Sequence, residues 1–402
     1  MFLHFGVNTF TDREWGDGHE DPAIFNPSAL DARQWARTAR AAGFKALILT
    51  AKHHDGFCLW PTRTTSHSVA TSPFRGGSGD VVREMVGACQ AEGLKAGLYC
   101  SPWDRNAASY GEARYIDFYI AQLTELLTNY GPIAEVWFDG ANGEGPDGKH
   151  QVYDWPRFFG TVRRLQPDAV MFSDAGPDIR WIGNETGSAG ETCWSTIDPA
   201  AIPYPGYDAP GVGEHLQRGD ADGSVWRPGE TDTSIRPGWF WHPADDARIR
   251  RGSTLNDLYL TSVGRNSKLL LNVPPNRAGL LSEEDISALN DFRDWRTNAF
   301  AQDLAAGARR SQRGSVLTIE MPRPVLFNAV SMAEEIQRGQ AVAGYAIEAA
   351  QEASWRTIAR GTTIGNRRIV RFDPVTSDRV RLTITEQIAV PHLSTVSLHA
   401  IP

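Results

Sequence analysis

The chain has 402 residues, which is enough for a barrel of about 250 residues and a smaller second domain. Its 41% hydrophobic and 22% charged residues are typical of a globular protein with a large core and exclude a disordered chain. A formal net charge of -8 offers no basic surface to a phosphate backbone, so we expect no nucleic-acid partner.

Up to about residue 300, short apolar runs alternate with amphipathic stretches. This alternation predicts repeated βα units around a parallel sheet. Six strands are clear and the stretch 175–265 is not, which fits a (β/α)8-like barrel with long loops better than an open sheet. The predicted strands are 1–7, 45–51, 94–100, 133–139, 169–173 and 268–273.

Helix signals lie between these strands and after the last of them. The first helix opens on Asp31 and ends at Gly43, as helix start and stop signals predict. The last one has Ser282 as its expected N-cap, and its apolar residues recur at helical spacing. The predicted helices are 31–42, 80–92, 112–129, 154–165 and 282–297.

After about residue 305 the pattern changes to alternating apolar and polar residues, as in 315–319 and 379–384. This period of two predicts a C-terminal antiparallel β-sandwich. We therefore divide the chain into a barrel domain, 1–302, and a sandwich domain, 303–402.

Cysteine usage and the lack of a long apolar run bear on the compartment. The four cysteines show no C-x-x-C spacing, so we expect free and mostly buried thiols. No apolar run reaches the roughly 18 residues of a membrane span, so no membrane partner is expected. The first residues read as a core strand and not as an export signal, which leaves the compartment open, with secretion or the periplasm as alternatives.

Chemically versatile side chains stand at the ends of the first four predicted strands. In a barrel these ends meet at one rim, where the chemistry of such folds is located. Neutral imidazoles around one carboxylate suit a small polyhydroxylated ligand, although a single histidine at a strand end is more often structural. The residues are His4, His53, His54, Tyr99 and Asp139.

The adjacent pair His53 and His54 raises the alternative of a catalytic metal. Neighbouring strand residues point to opposite faces, and no known ligand spacing is present. We therefore expect neither a metal nor another cofactor, and a metal-dependent barrel hydrolase stays a rival hypothesis.

Asp139 ends an apolar run and precedes Gly140, so a carboxylate stands at the edge of a buried strand, where desolvation is costly. A structural aspartate there would need a cation or several hydrogen-bond donors. The alternative is a nucleophile, since a carboxylate can attack an anomeric carbon and form a glycosyl-enzyme intermediate.

Five motifs together resemble the α-L-fucosidases of glycoside hydrolase family 29. The resemblance covers the whole chain and implies a (β/α)8-like barrel followed by a β-sandwich, and a retaining mechanism without a cofactor. The motifs are His4-Phe5-Gly6, Glu14-Trp15, Lys52-His53-His54-Asp55-Gly56-Phe57, Val136-Trp137-Phe138-Asp139-Gly140 and Leu271-Asn272-Val273-Pro274-Pro275.

The resemblance implies roles for individual residues. Asp139 corresponds to the nucleophile, and a further set corresponds to the residues that bind the hydroxyls and the apolar side of fucose. Cys100 beside Tyr99 departs from the family pattern. The set that binds fucose comprises His4, Glu14, Trp15, His53, His54, Tyr99 and Trp137.

The segment from Arg180 to Glu185 resembles the branch of the family that cleaves α-1,3 and α-1,4 fucosyl linkages, with Lewis-type glycans as substrates. That resemblance implies Glu185 as the acid/base, while Glu191 and Glu230 remain alternatives. Arg180 either steers Glu185, binds substrate or forms a surface salt bridge.

The segment 191–243 is expected to form loops over the site, with Trp226, Trp239, Trp241 and His242 as sugar contacts or as plain packing residues. A non-catalytic protein that binds fucosylated glycans is the alternative function. Nothing in the sequence indicates the oligomeric state.

Overall fold

A computed structural model of the protein describes residues 1–402. Its first part is a closed barrel of eight parallel strands. The order around the barrel is β1-β10-β9-β6-β5-β4-β3-β2, and Phe2 closes it by pairing with both Asn272 and Ile48. The barrel strands are β1 Phe2–Leu3, β2 Ala46–Lys52, β3 Lys95–Cys100, β4 Glu135–Trp137, β5 Val170–Ser173, β6 Ile179–Trp181, β9 Gly229–Ser234 and β10 Ser267–Asn272, and a separate pair consists of β7 Thr196–Ile197 and β8 Val225–Trp226.

Eight α-helices accompany the strands, and five of them cover the predicted helical segments. Asp31 and Asp80 accept hydrogen bonds from backbone N–H groups in their first turns, and Gly43 ends the first of these helices in a left-handed conformation with φ 88°. The helices are α1 Val7–Thr11, α2 Ala32–Ala42, α3 Val81–Glu92, α4 Arg114–Thr128, α5 Trp155–Leu165, α6 Val212–Arg218, α7 Ser253–Thr261 and α8 Glu283–Ala299.

The first strand is much shorter than predicted, since β1 ends at Leu3 and α1 begins at Val7. The backbone N–H of His4 donates to the side chain of Asn272 at 3.1 Å, and that of Phe5 donates to Thr50 Oγ1 at 3.2 Å. The chain therefore leaves the sheet as soon as side chains replace the ladder partners.

Two barrel strands, β6 and β9, lie in the stretch where no strand was predicted. β9 has the sequence Gly-Glu-Thr-Asp-Thr-Ser and is buried at all six positions. Its outward Thr231 donates to the Lys268 carbonyl at 2.8 Å, while its inward Glu230 accepts from the Trp137 indole at 3.1 Å. Side-chain hydrogen bonds thus stabilise a strand that carries no apolar residue.

The C-terminal part is a six-stranded antiparallel sheet. Irregularities between Glu320 and Val325 and between Phe327 and Ala329 separate two halves of β12, and each half pairs with a different half of β15. Apolar residues from both halves share one core, as in a sandwich. The strands are β11 Arg309–Arg313, β12 Val316–Glu334, β13 Val342–Gln351, β14 Ser354–Gly361, β15 Arg368–Gln387 and β16 Leu393–His399.

The division at residue 302 stays a prediction; α8 ends at Ala299 and β11 begins at Arg309. The larger core cluster contains 62 buried residues, all from the barrel part except Ala329, Ile369 and Ile401, and a second cluster of 16 belongs to the C-terminal part. Each part thus has a core of its own, and three sandwich residues pack against the core of the barrel. All four cysteines are free and buried, as predicted. None of the helices has the length and apolar character needed to cross a membrane.

Candidate active site

Asp139 follows β4 by two residues and lies at the carboxyl rim of the barrel. Its Oδ2 accepts a hydrogen bond of 3.0 Å from the Tyr99 hydroxyl, and its Oδ1 accepts one of 2.8 Å from the backbone N–H of Ala141. The side chain is 26% exposed. The carboxylate is therefore fixed by two donors and remains open to a ligand.

The loop that follows Asp139 packs closely against the loop that contains Gly206. A Cβ atom on Gly140 would lie 2.4 Å from the backbone nitrogen of Gly206, so only glycine permits this approach. The N–H of Gly206 in turn donates to Asp174 Oδ2 at 3.0 Å. Burial raises the pKa of Asp174 to about 6, with the charge of Asp139 contributing in the same direction.

His54 lies beside Asp139, with Nε2 3.7 Å from Oδ2. Ser101 Oγ donates its own hydrogen to the Trp103 carbonyl at 2.7 Å, and it lies 2.8 Å from His54 Nδ1. The hydrogen-bond network therefore assigns the proton to Nδ1 and leaves Nε2 as an acceptor. A ligand hydroxyl between His54 and Asp139 would find an acceptor on both sides.

His4 and His53 complete a cluster of rings at the rim. Nδ1 of His4 lies 2.9 Å from Asn272 Oδ1, which leaves Nε2 as an acceptor, while Asn8 Nδ2 donates to His53 Nδ1 at 3.5 Å and leaves an N–H on Nε2. Burial lowers the pKa of His4 to about 3 and that of His54 to about 4, and it also lowers the pKa of His53. The three imidazoles are thus neutral hydrogen-bonding groups at pH 7.

The rings of His53 and His54 are only 4.1 Å apart, so the expectation that they point to opposite faces is wrong. Both residues follow Lys52, the last residue of β2, and the alternation of a strand no longer applies to them. No group of three or more His, Cys, Asp or Glu side chains has an arrangement that could hold a metal ion.

Two tryptophans present apolar surface. Trp137 stacks on Phe172 with ring centroids 4.1 Å apart and lines a cavity with Asp139. Trp15 is 60% exposed and meets the rings of His54 and Trp103 edge to face. Flat rings of this kind suit the apolar faces of sugars.

Glu14 is a partly exposed carboxylate that binds the loop after β9. It accepts hydrogen bonds from the backbone N–H groups of Trp239 at 2.7 Å and Phe240 at 3.1 Å, and its Oε1 lies 2.6 Å from His242 Nε2. The packing of Trp239 on His4, with ring centroids 4.9 Å apart, connects this loop to the histidine cluster.

Glu185 lies four residues after β6 and lines the same cavity as Asp139 and Trp137. The cavity has a volume of about 470 Å³, which is within the range of small-molecule sites. Glu185 is exposed as a residue, but desolvation of its carboxyl group at the cavity raises its pKa. A hydrogen bond with the Trp239 side chain opposes this shift, and the carboxylates of Asp139 and Glu14 reinforce it. Two carboxyl groups, one after β4 and one after β6, therefore line one cavity and have different surroundings.

The two competing glutamates lie elsewhere. Glu191 pairs with Arg265 and, at 2.6 Å, with Arg368 of the C-terminal sheet. Glu230 is fully buried inside the barrel, 2.5 Å from Lys268 Nζ. Neither contributes to the lining of the cavity that holds Asp139.

Arg180 is not available to a substrate, so that expectation and that of a surface salt bridge are both wrong. The side chain is fully buried and points away from the cavity. Its guanidinium donates to the carbonyls of Leu216 at 2.8 Å and Trp194 at 2.7 Å, and also to that of Arg227. Three carbonyl acceptors make Arg180 a support for the surrounding loops.

Several other residues of the cavity were not predicted as site residues, and Asp174, Trp181 and Asp232 are those with chemically active groups near the two carboxyl groups' strands. The Trp181 indole donates to Asp232 Oδ1 at 2.7 Å, and burial raises the pKa of Asp232 well above its usual value. Trp181 and Asp232 lie on the two unrecognised strands. Asp174 directly follows a predicted strand, so the rule that identified His4 and His53 would have found it.

Of the three loop tryptophans named as candidate sugar contacts, Trp239 alone lies at the histidine cluster, next to Phe240. Trp226 is exposed and lines a different cavity together with Glu230 and Lys268, and Trp241 packs against Arg236. The segment that does reach the cavity of Asp139 runs from Gly206 to Ala209 and continues at Val212 and Gly213.

Paired carboxyl groups at the carboxyl rim of a barrel, beside neutral hydrogen-bonding rings and exposed aromatic faces, define the class of glycoside hydrolases. The family model described as Alpha-L-fucosidase matches residues 4–299 of this chain. The chain therefore belongs to the α-L-fucosidase family, and it is a glycoside hydrolase.

Relatives support this relation over the full length. Alpha-L-fucosidase 1 of Arabidopsis thaliana is 43% identical, and the match covers 99% of this chain and 84% of the relative. A crystal structure of a glycoside hydrolase 29 family member from an unknown rumen bacterium has a TM-score of 0.94 at 41% identity, covering 100% of this chain and 74% of that chain. A Ruminococcus gnavus GH29 fucosidase in complex with fucose has a TM-score of 0.89 at 31% identity, with 100% and 92% coverage.

Proposed function

We propose that this protein is a retaining exo-α-L-fucosidase with Asp139 as the nucleophile and Glu185 as the acid/base. The observation that carries the proposal is the shared cavity of the two carboxyl groups, one of which follows β4 and the other β6. Retaining enzymes need two carboxyl groups on opposite sides of the scissile bond, about 5 to 5.5 Å apart.

In the first step, an oxygen of the Asp139 carboxylate forms a bond to the anomeric carbon of fucose. The bond from this carbon to the glycosidic oxygen breaks, and Glu185 gives its proton to the departing oxygen. The hydrogen bonds from Tyr99 and Ala141 orient the attacking carboxylate. The product of this step is a fucosyl-enzyme ester with inverted configuration.

In the second step, Glu185 is a carboxylate and removes a proton from a water molecule. The water oxygen attacks the anomeric carbon, the bond to Asp139 breaks, and the configuration is inverted again. The raised pKa of Glu185 suits both roles, because it keeps the proton available before the first step and makes the carboxylate a better base in the second.

The neutral rings of His4, His53 and His54 are suited to the fucose hydroxyls, since each offers one ring nitrogen that its protein partners leave free. Trp15 and Trp137 are suited to its apolar face. Glu14 would affect sugar binding partly by fixing the loop that contains Trp239 and Phe240. Binding that strengthens as the sugar ring flattens would increase turnover as well as affinity.

For the linkage, we propose α-1,3- and α-1,4-linked fucose on Lewis-type branches. The support is the resemblance of the segment 180–185 to that branch of the family, together with Tyr207 and Asp208, which line the same cavity as the two carboxyl groups. We expect these two residues to contact the sugar that departs. Trp181 and the free oxygen of Asp232 face the same space.

The test is a proton NMR time course on fucosyl oligosaccharides with α-1,2, α-1,3, α-1,4 and α-1,6 linkages. We expect the α-anomer of free fucose to appear first, and only from the α-1,3- and α-1,4-linked compounds. A β-anomer appearing first would exclude retention, and equal release from all four would exclude the linkage preference. Binding without any release would support the alternative of a glycan-binding protein.

A further inference from the structure

Glu185 lies in a segment that neither a helix nor a barrel strand holds. Between β6, which ends at Trp181, and β7, which begins at Thr196, the chain forms only turns and bends. The local hydrogen bonds are few: Asn184 Nδ2 donates to the Ser188 carbonyl at 2.9 Å, and the N–H of Thr186 donates to Asn184 Oδ1 at 3.1 Å. Contacts from elsewhere must therefore fix the position of this segment.

The C-terminal sandwich supplies many of these contacts. Gln340 accepts from the N–H of Ser195 at 2.8 Å and donates to the Cys193 carbonyl at 3.0 Å. Thr363 Oγ1 accepts from the N–H of Cys193 at 2.9 Å, and Thr362 Oγ1 donates to the Glu191 carbonyl at 3.1 Å. Both Gln340 and Thr363 are buried, so these bonds are shielded from water.

Arg368 adds a charged contact at the same place. Its guanidinium donates to the Glu191 carbonyl at 2.8 Å and to Glu191 Oε2 at 2.6 Å, and its Nε donates to the Tyr345 hydroxyl at 3.1 Å. Arg368 is 5% exposed and Tyr345 belongs to the sandwich core. Charge-assisted bonds of this kind are about twice as strong as neutral ones.

The barrel holds the same segment from its other side. The N–H of Ala189 donates to the Thr261 carbonyl at 2.9 Å, and Arg265 Nη1 donates to the Ala189 carbonyl at 3.0 Å. Arg180, on β6, donates to the Trp194 carbonyl. The chain from 189 to 195 is thus fixed between the two domains, and Glu185 stands on the turn that immediately precedes it.

We infer that the C-terminal sandwich positions Glu185, through the hydrogen bonds of Gln340, Thr363 and Arg368 to residues 191–195. The inference rests on the proposed role of Glu185 as the acid/base. Proton transfer requires Glu185 within hydrogen-bond reach of the glycosidic oxygen, and a displacement of about 1 Å costs roughly a hundredfold in rate. Arg368, Thr363 and Gln340 are positioning residues, because they act only through the segment.

The inference predicts a loss that depends on the leaving group. The dinitrophenolate of a 2,4-dinitrophenyl fucoside departs without a proton, so kcat/KM for this substrate does not depend on Glu185. The departing sugar of a fucosyl oligosaccharide needs the proton, so kcat/KM for that substrate does depend on Glu185. A variant that displaces Glu185 should therefore lose activity on the oligosaccharide and keep it on the aryl fucoside. A variant that merely destabilises the protein should reduce both equally.

The variants are Thr363→Val and Arg368→Met, each in the full chain. The matched controls are Thr383→Val and Arg381→Met, which remove a hydroxyl and an arginine that contact Glu348 within the sandwich and do not touch the barrel. We expect kcat/KM on the oligosaccharide to fall about fivefold for Thr363→Val and about thirtyfold for Arg368→Met, with aryl fucoside values within twofold of wild type. Hydrogen exchange of residues 184–195 should accelerate in both variants and in neither control.

Glu185→Ala, measured in parallel, separates the acid/base role of Glu185 from the positioning role of the sandwich. If Glu185→Ala itself lost activity equally on both substrates, the acid/base assignment would fail. If it showed the leaving-group dependence while Thr363→Val and Arg368→Met left the ratio of the two substrates unchanged, the positioning role of the sandwich would be refuted. Should Arg368→Met fail to fold, Thr363→Val with its exchange data decides the question.

Discussion

On the side of the rim formed by β1 to β4, the carboxylate of Asp139 and the three histidine rings stand within two positions of a strand end, and the barrel ladder fixes them. The rings are those of His4, His53 and His54. On the side formed by β6 and β9, Glu185 stands four residues beyond its strand, in a segment held by side chains from distant parts of the chain. The first side holds these groups through the backbone, whereas the second holds Glu185 through tertiary side-chain contacts to its segment.

This difference matches the tasks of the two sides. The nucleophile and the hydroxyl-binding rings must be rigid throughout the reaction, since they bind the same sugar in both steps. Glu185 must meet first a departing sugar and then a water molecule. We therefore expect the β1–β4 side to determine whether fucose is bound and attacked, and the β6–β9 side to determine which leaving groups are tolerated.

The largest effect should come from Asp139→Ala. Loss of the nucleophile removes the covalent route for every substrate, so kcat should fall at least about ten-thousandfold on aryl fucosides and oligosaccharides alike. Steady-state kinetics with both substrates provide the measurement. Asp208→Ala removes an exposed carboxylate from the margin of the same cavity and serves as the control; a similar loss there would remove the distinction between the two aspartates.

Glu185→Ala should divide the substrates. For a fucosyl oligosaccharide we expect kcat/KM to fall about a hundredfold to ten-thousandfold, because the departing oxygen no longer receives a proton. For a 2,4-dinitrophenyl fucoside kcat/KM should change little, but kcat should fall because the second step has lost its base. Azide attacks the intermediate without a general base and should restore kcat. Failure of azide to restore turnover, together with near wild-type rates on oligosaccharides, would rule out Glu185 as the acid/base.

A smaller effect is expected from Ser101→Ala, which removes the acceptor of the His54 Nδ1 proton. The imidazole could then adopt the other tautomer and present an N–H where the site offers an acceptor. We expect kcat/KM to fall about threefold to tenfold on both substrates. Ser173→Ala is the control, because Ser173 is also a buried serine at a strand end but donates to Gly176 without touching a histidine. Equal kinetics in the two variants would contradict the tautomer assignment.

The smallest effect concerns stability and pH. Burial lowers the pKa of His4 to about 3, so the unfolded chain takes up protons near the ordinary histidine pKa, about 6.5, and the folded protein does not. Stability is therefore retained above pH 6.5 and lost progressively as the pH falls towards 3. His4→Gln removes this contribution, so its Tm should decline less between pH 7 and pH 5 than that of the wild type.

The exposed His19 provides the control for this comparison. His19→Gln should follow the wild-type slope of Tm against pH, because it removes an exposed ring and leaves the buried His4 in place. The comparison uses slopes and not absolute Tm values, since His4→Gln also loses the contact with Asn272. A slope for His4→Gln equal to that of the wild type would mean that His4 does not stay neutral in the folded protein.

The same contrast between the two sides explains what could be predicted from the sequence. Apolar runs such as 45–51 and 94–100 show the strands of the first side directly, and the residues after them follow from the barrel rule. β9 has no apolar residue, and β6 is three residues long with a buried arginine at its centre. Patterns of hydrophobicity cannot reveal such strands, so Asp232 and Trp181 were missed.

The sequence is also a poor guide to the role of Arg180, for a related reason. An arginine near a proposed acid/base suggests a contact with a charge or a ligand, but its partners are three backbone carbonyls from residues 194, 216 and 227. Carbonyl acceptors leave no signature in the sequence. The contacts of Gln340, Thr363 and Arg368 to residues 191–195 are equally invisible, because they join positions 145 to 177 residues apart.

Trapping of the covalent intermediate tests the central claim most directly. A 2-deoxy-2-fluoro-α-L-fucosyl donor with a good leaving group slows both steps, but lets the first proceed, so the glycosyl-enzyme accumulates. Peptide mapping by mass spectrometry should then find one fluorofucosyl group per chain, on Asp139. A label on Glu185 or on any other residue, or inactivation without a covalent label, would contradict the account.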